Sequence, residues 1–235
     1  LAKTLCAPLH AAGVGWLYFA MMGMIAVLLG AFGSVFTTYS TLYLAKDNDL
    51  LLSLPIPVSV LMASRMTTVY LMGLLYSGVV MLPAILVYWV AAAFTLPTLL
   101  GGLLLTALIS VFVMTVSCAL GFVVAKISLK LKRKSLITVI VSLAFFAVYY
   151  FVVFKAQTLI SELLSNAEAF GEAVKGAAYP LYLFGQVGVG DPIPCLVISL
   201  AVAALFALMW VLISRSFLKL ATSTGRSARK VYKET

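Results

Sequence analysis

Between Lys3 and Lys46 the chain carries no charged side chain. That gap constrains the fold more than any motif does, because an interval so long and so apolar belongs in lipid. A membrane-crossing helix needs about 20 consecutive apolar residues, and a charge held at the bilayer centre costs roughly 3 kcal/mol. The rest of the chain repeats the pattern. Of 235 residues, 64% are hydrophobic and 10% are charged, against about 25% charged in an average globular protein. The period-two alternation of an outer-membrane barrel is absent. The expected fold is all-α, a polytopic membrane helix bundle.

Five spans are expected, at about 13–44, 66–94, 99–125, 135–154 and 192–214, within a transmembrane domain covering 1–214. At 1.5 Å per residue the first would reach about 48 Å, beyond a hydrocarbon core of about 30 Å, so it tilts or projects into water. Its hydroxyl-rich end, Thr37 to Tyr43, suits an interface or a polar cavity. Gly23, Gly30 and Gly33 either mark close helix approach or are ordinary membrane glycines. In span two, Pro83 is expected to kink the helix, Gly73 and Ser77 form a small-xxx-small pair, and Tyr88 and Trp89 suit an aromatic belt. The turn Thr95 to Thr98, with Pro97, is short enough to make spans two and three antiparallel neighbours. Thr106, Ser110, Thr115, Ser117, Thr138 and Ser142 either line a path or bond back to their own helices, and the second reading is preferred.

The links are more informative. Ala45 to Arg65 reads AKDNDLLLSLPIPVSVLMASR. Lys46, Asp47 and Asp49 keep it out of lipid, Asp47 and Asn48 can cap a helix start, and Asp49 lies near the favourable end of the helix dipole. Leu50, Leu51, Leu52 and Leu54 supply an apolar surface beside Ser53, and Pro55 and Pro57 stop the helix. A leucine face outside lipid needs a partner groove or the headgroup layer. Further on, Ile160, Leu163, Leu164, Ala167, Phe170 and Val174 recur at helical spacing. Glu162, Ser165, Glu168, Glu172 and Lys175 take the other side, so 155–191 is expected to hold an amphipathic interfacial helix. Tyr179 to Phe184 and the GQVGVGD that follows, expected to be flexible, are too short and broken to span. They can dip into the membrane if protein covers their backbone.

Counting basic residues orients the chain. With the Ala45 to Arg65 stretch inside the cell, thirteen of the sixteen Lys and Arg residues face inward: Lys46, Arg65, five in KISLKLKRK at 126–134, and six in the tail at 215–235. Only Lys3, Lys155 and Lys175 face outward. The reverse orientation opposes the positive-inside rule. The tail, with Arg215, Lys219, Arg226, Arg229, Lys230 and Lys233, is expected to be mobile or to lead into another domain. The chain begins at Leu1 with no signal-peptide pattern. Its outward-facing start implies an earlier span, so a sixth helix is expected upstream.

These features also exclude functions. The net charge of +9 is spread over the links and meets headgroups, and no soluble module presents a groove for nucleic acid. Cys6, Cys118, Cys195 and the single His10 assemble no metal cage, and Cys118 reads as a small core residue. Cys6 and Cys195 fall on one side of the membrane, but their spacing does not pair them. No Asp, Glu, Lys, Arg or His interrupts any expected span, which argues against intramembrane catalysis and against ion-coupled transport. There is no G-x-x-x-x-G-K-[ST] loop, so ATP must be bound elsewhere.

A long helix, AKDNDLLLSLPIP, a second helix, a basic link and an outward amphipathic segment before the last span together resemble the membrane subunit of type-two ATP-binding-cassette exporters, especially bacterial members with K-D-x-D-L-L-L-S-L-P-I. The resemblance implies a six-helix half, of which this chain holds five helices, in the bacterial plasma membrane. It implies a coupling helix, on Lys46, Asp47, Asp49, Leu50, Leu51, Leu52, Ser53, Leu54, Pro55 and Pro57, docked on a separate cytoplasmic ATPase subunit. The outward helix of the family corresponds to Leu159 to Val174. A second permease half or subunit is implied as a partner, with ATP bound by the motor and no cofactor held here. Uncharged spans favour an amphiphile, a lipid-linked molecule or an apolar peptide as cargo. The alternatives are a non-transporting scaffold or sensor subunit, or an interfacial hinge without a partner.

Overall fold

The computed structural model describes residues 2–43, 57–92, 95–130 and 166–233, together with 143, 144, 146–148, 150, 151, 154 and 155. The helices with named bounds are α1 (Ala2–Ala11), α2 (Gly15–Tyr43), α3 (Val58–Ala92), α4 (Leu96–Lys130), α5 (Ala167–Ala177), α6 (Tyr179–Val189) and α7 (Pro192–Lys233). The fold is all-α. Among the described residues four helices are long and apolar enough to cross a membrane, through Gly15–Ser34, Ser59–Ala92, Leu96–Val123 and Pro192–Ser214. The expected span at 135–154 falls largely outside the described residues; those described within it are helical.

α2 is the central post, packed against α3, α4 and α6, while α7 lies against α4 and α6. Along α3, Leu71, Leu75, Val79, Leu82, Leu86 and Val90 are exposed at steps of three and four residues, which places them on one face. α7 exposes Ile193, Leu196, Leu200, Leu208 and Leu212 in the same way. In a membrane such faces meet lipid. Two core clusters stack along the bundle. One joins α1, α6 and the adjoining ends of α2, α3 and α4, and also takes in Val202 of α7. The other joins Leu42 of α2, the start of α3, Met114 and Cys118 of α4, and Met209 and Ile213 of α7. They are called here the α1 end and the basic end, the latter because Arg65 and the Lys126 and Lys130 positions lie toward it.

The helices end where local chemistry ends them. Gly13, with φ of 72°, closes α1: Val14 N–H donates to the Leu9 carbonyl at 3.0 Å and Gly13 N–H to that of His10 at 3.1 Å. This is a Schellman motif, which requires a left-handed residue. Gly190, with φ of 98°, repeats it after α6, where Asp191 N–H donates to Gln186 and Gly190 N–H to Val187. Asp191 then accepts from Cys195 N–H, and Pro192 opens α7 where its missing donor costs nothing. Thr95 caps α4, its carbonyl accepting from Leu99 N–H at 3.2 Å and from the Thr98 hydroxyl at 2.8 Å.

Several elements differ from the sequence expectation. α3 begins at Val58 rather than near 66, so Arg65 lies inside a helix. Pro57, expected only as a stop, opens this helix: its carbonyl accepts from Val60 and Leu61 N–H at 3.0 and 3.3 Å. No Gly or Pro then follows until Gly73. α7 continues as one helix of 42 residues to Lys233, about 63 Å at 1.5 Å per residue, so the basic tail, expected to be mobile or to lead into another domain, prolongs the last span as helix. GQVGVGD is not a flexible link. Its first five residues complete α6, whose Gly185, Val187 and Gly188 are buried. α1 was not expected, although Leu5, Cys6 and Leu9 give it one buried face.

Candidate functional site

The two termini that lead into and out of the expected coupling segment share one core. Leu42, one residue before the end of α2, packs in a cluster with Leu61, Met62, Met66 and Val69 from the first turns of α3. Met114, Cys118, Met209 and Ile213 complete it from α4 and α7. Among the described residues this one cluster thus holds side chains from α2, α3, α4 and α7. Pro57 is the only expected coupling residue among those described, and it is exposed at the start of α3. Lys46, Asp47, Asp49, Leu50, Leu51, Leu52, Ser53, Leu54 and Pro55 lie outside the described residues. In the hydroxyl-rich turns of α2 above the cluster, Ser40 donates to its own helix at the Thr37 carbonyl, 2.9 Å away. Thr38 is buried, and its hydroxyl has no hydrogen-bond partner among the described residues.

Between the two cores the polar side chains hold helices together rather than line a passage. Thr106, Ser110 and Thr115 donate to carbonyls four residues earlier at 2.8, 2.9 and 2.8 Å. Ser34 and Ser117 join α2 to α4 at 2.6 Å, and Ser77 and Ser110 join α3 to α4 at 2.8 Å. In an apolar medium such hydroxyls are satisfied inside the protein or left at a cost. Gly73 and Ser77 act as the expected small pair: a methyl at Gly73 would stand 3.5 Å from the Ser110 carbonyl. The span-one glycines are close-approach positions. A methyl at Gly30 would meet Val113 at 3.0 Å and one at Gly33 would meet the Tyr76 ring at 2.8 Å, while Gly23 faces Phe184 of α6. Thr138 and Ser142 lie outside the described residues.

The α1 end is built differently. Tyr88 is buried rather than placed in an aromatic belt. Its ring packs on Phe19 at 4.7 Å and on Tyr18 and His10 at 5.8 Å each. Tyr18 donates to the Ala84 carbonyl at 2.9 Å, tying α2 to α3. α6 enters this cluster through its glycines, with Gly185 against the Trp16 carbonyl, Gly188 against the Phe19 ring, and Gly190 against Pro97. Protein covers the backbone of α6, the condition under which a short segment can enter a membrane. α5 leans on the same core through Phe170 and Val174 and exposes Glu172 and Lys175, as the amphipathic pattern requires.

Beside this cluster lies a cleft of about 230 Å³ walled by Trp16 and Tyr88, with His10, Gln186 and the Gly13 to Gly15 corner around it. The sequence does not reveal it, because its walls come from four separate helices and a turn; only the glycines flanking Val14 hint at a tight corner there. Among the described residues no group of three or more His, Cys, Asp or Glu side chains gathers to hold a metal. Cys6, Cys118 and Cys195 are free thiols, Cys118 fully buried as expected, and burial pushes the Cys6 thiol up. The chain is thus an all-helical, membrane-spanning bundle with two chemically distinct ends. No family model, curated protein or solved structure matches it.

Proposed function

We infer that the chain is the membrane subunit of an ATP-binding-cassette exporter in a bacterial plasma membrane. It converts ATP hydrolysis by a separate cytoplasmic ATPase into movement of an amphiphilic, lipid-like or peptide cargo. The observation that carries this reading is the basic-end cluster, in which Leu42 and Leu61 belong to one core with residues of α4 and α7. A segment whose two roots share such a core can move the bundle as a unit. The sequence of that segment, acidic at its start, leucine-rich and ended by prolines, has the features of a docking helix. The positive-inside rule puts it in the cytoplasm, where an ATPase can reach it. With no phosphate-cradling loop of its own, the chain is a transport subunit and its partner is the enzyme. A second permease half completes the pathway.

Leu51→Asp with Leu54→Asp tests the docking. Tagged wild-type and variant proteins are recovered from native membranes in mild detergent, and the accompanying ATPase is quantified by mass spectrometry. Wild type is expected to retain an ATP-binding-cassette ATPase, and the variant at least tenfold less of it at equal permease yield. Equal recovery with both would end the docking assignment.

A further inference from the structure

The cleft at the α1 end goes beyond that reading, and its chemistry narrows what it can hold. Gly15 begins the first span and Pro192, three residues after Val189, begins the last. The cleft therefore lies at the level of the lipid headgroups, on the side away from the basic links. His10 and Gly13 are exposed while Trp16 and Tyr88 are buried, so it opens between the first two and ends against the rings. At about 230 Å³ it falls below the roughly 300–1,000 Å³ of drug-sized sites. It has room for a headgroup or a single ring.

None of the side chains lining it is Lys, Arg, Asp or Glu. An anion would find no guanidinium or ammonium. A quaternary ammonium would be drawn to open aromatic faces, but Trp16 is 8% exposed and Tyr88 5%, so the rings make no open cage. A purely apolar guest would strip water from the His10 imidazole and the Gln186 amide and return no hydrogen bond. What remains is a neutral ring with an apolar face and a polar edge. We propose that this cleft binds one neutral sugar ring, presented as the headgroup of a glycolipid. C–H groups of a pyranose meet the edges of Trp16 and Tyr88 that reach the cleft floor, while its hydroxyls meet His10, which can donate or accept, and the Gln186 amide, which can do both. Gln186 is set in place by its Nε2, which donates to the Tyr182 hydroxyl at 2.8 Å.

The test uses the whole chain in bilayers of phosphatidylethanolamine and phosphatidylserine, with Trp89→Phe and Trp210→Phe so that Trp16 alone reports by fluorescence. Octyl β-D-glucoside, octyl phosphocholine and octyltrimethylammonium, sharing one alkyl chain, are titrated below their micelle concentrations beside methyl β-D-glucoside. The expected result is a saturable Trp16 response to octyl glucoside at a midpoint at least tenfold below those of the other two amphiphiles. His10→Phe and Gln186→Leu should each raise that midpoint at least tenfold with the unfolding temperature unchanged. Saturation by methyl glucoside at an equal midpoint would support the sugar but overturn its delivery on a lipid. A lower midpoint for octyltrimethylammonium would overturn the proposal in favour of a cation cage. Equal midpoints for all three amphiphiles, or indifference to both substitutions, would reduce the response to partitioning and also overturn it. Since no ATPase takes part, failure here leaves the exporter reading standing, and failure of ATPase docking leaves this site standing.

Discussion

The two ends of the bundle solve the same packing problem with different materials. The α1 end is closed by Trp16, Tyr18, Phe19 and Tyr88 and by glycines that bring α6 against α2 and α4. The basic end has Met62, Met66, Met114 and Met209 among Leu, Ile, Val and Cys at its buried centre, with Tyr70, Phe122, Phe206 and Trp210 only partly buried around it. Rings seated on glycine backbones leave no slack, because interiors are packed like crystals and the backbone cannot step aside. Unbranched methionines refill a changed gap at little cost. The contrast teaches that changes of side-chain shape are absorbed more readily at the basic end, beside the proposed coupling segment, than at the α1 end.

That contrast is open to direct attack, most forcefully at the glycines. Gly188→Ala would drive a methyl into the Phe19 ring, and Gly185→Ala into the Trp16 carbonyl. Overpacking of this kind costs about 3 kcal/mol, and unfolding of the purified protein in denaturing detergent should show that loss for each. A cost below about 1 kcal/mol would mean that α6 is not closely held. At the other end, Met62→Leu keeps volume and should cost less than about 1.5 kcal/mol in the same assay. A larger penalty than that of Gly188→Ala would reverse the comparison. Between the cores, a double-mutant cycle on Ser34→Ala and Ser117→Ala should return a coupling of about 0.6 kcal/mol, the usual scale for interhelical bonds in membranes. No coupling would mean that the 2.6 Å contact carries no energy.

The smallest effect belongs to Cys6, on α1 outside the spans. Burial lifts its thiol above the ordinary value of 9.0, so above that pH the unfolded chain has lost a proton that the folded chain keeps. The unfolded state then binds fewer protons, and stability falls as pH rises past 9.0, with no contribution below it. Maleimide labelling followed by mass spectrometry should find Cys6 slow in the folded protein at neutral pH and fast after denaturation. Rapid labelling of the folded protein would show that α1 is not docked on the bundle.

Much of the chain was legible, and the successes share a cause. Charge-free length marked the spans now seen in α2, α3, α4 and α7, because lipid imposes one demand on any segment that enters it. The amphipathic face of α5 was readable where Phe170 and Val174 oppose Glu172 and Lys175. The short link through Pro97 made α3 and α4 neighbours. Boundaries were harder: Pro57 was read as a stop, yet the same fixed φ and missing donor that end one helix open the next. Gly185, Gly188 and Gly190 were read as flexibility, because glycine in sequence looks the same whether it frees a chain or lets two backbones touch.

Length and charge alone therefore decided that this protein is a helical membrane bundle, and the turn chemistry of Gly13, Gly190, Asp191 and Pro192 decided where its helices break. Which way each helix faces was decided only by the folded bundle. In water an apolar stripe points to the core. In lipid the surroundings are as apolar as leucine, so Leu75, left to the membrane, and Leu105, buried in the bundle, read alike until their neighbours are in place. The pairing of Ser34 with Ser117, the burial of α6, and the cleft between Trp16 and Tyr88 belong to that second category.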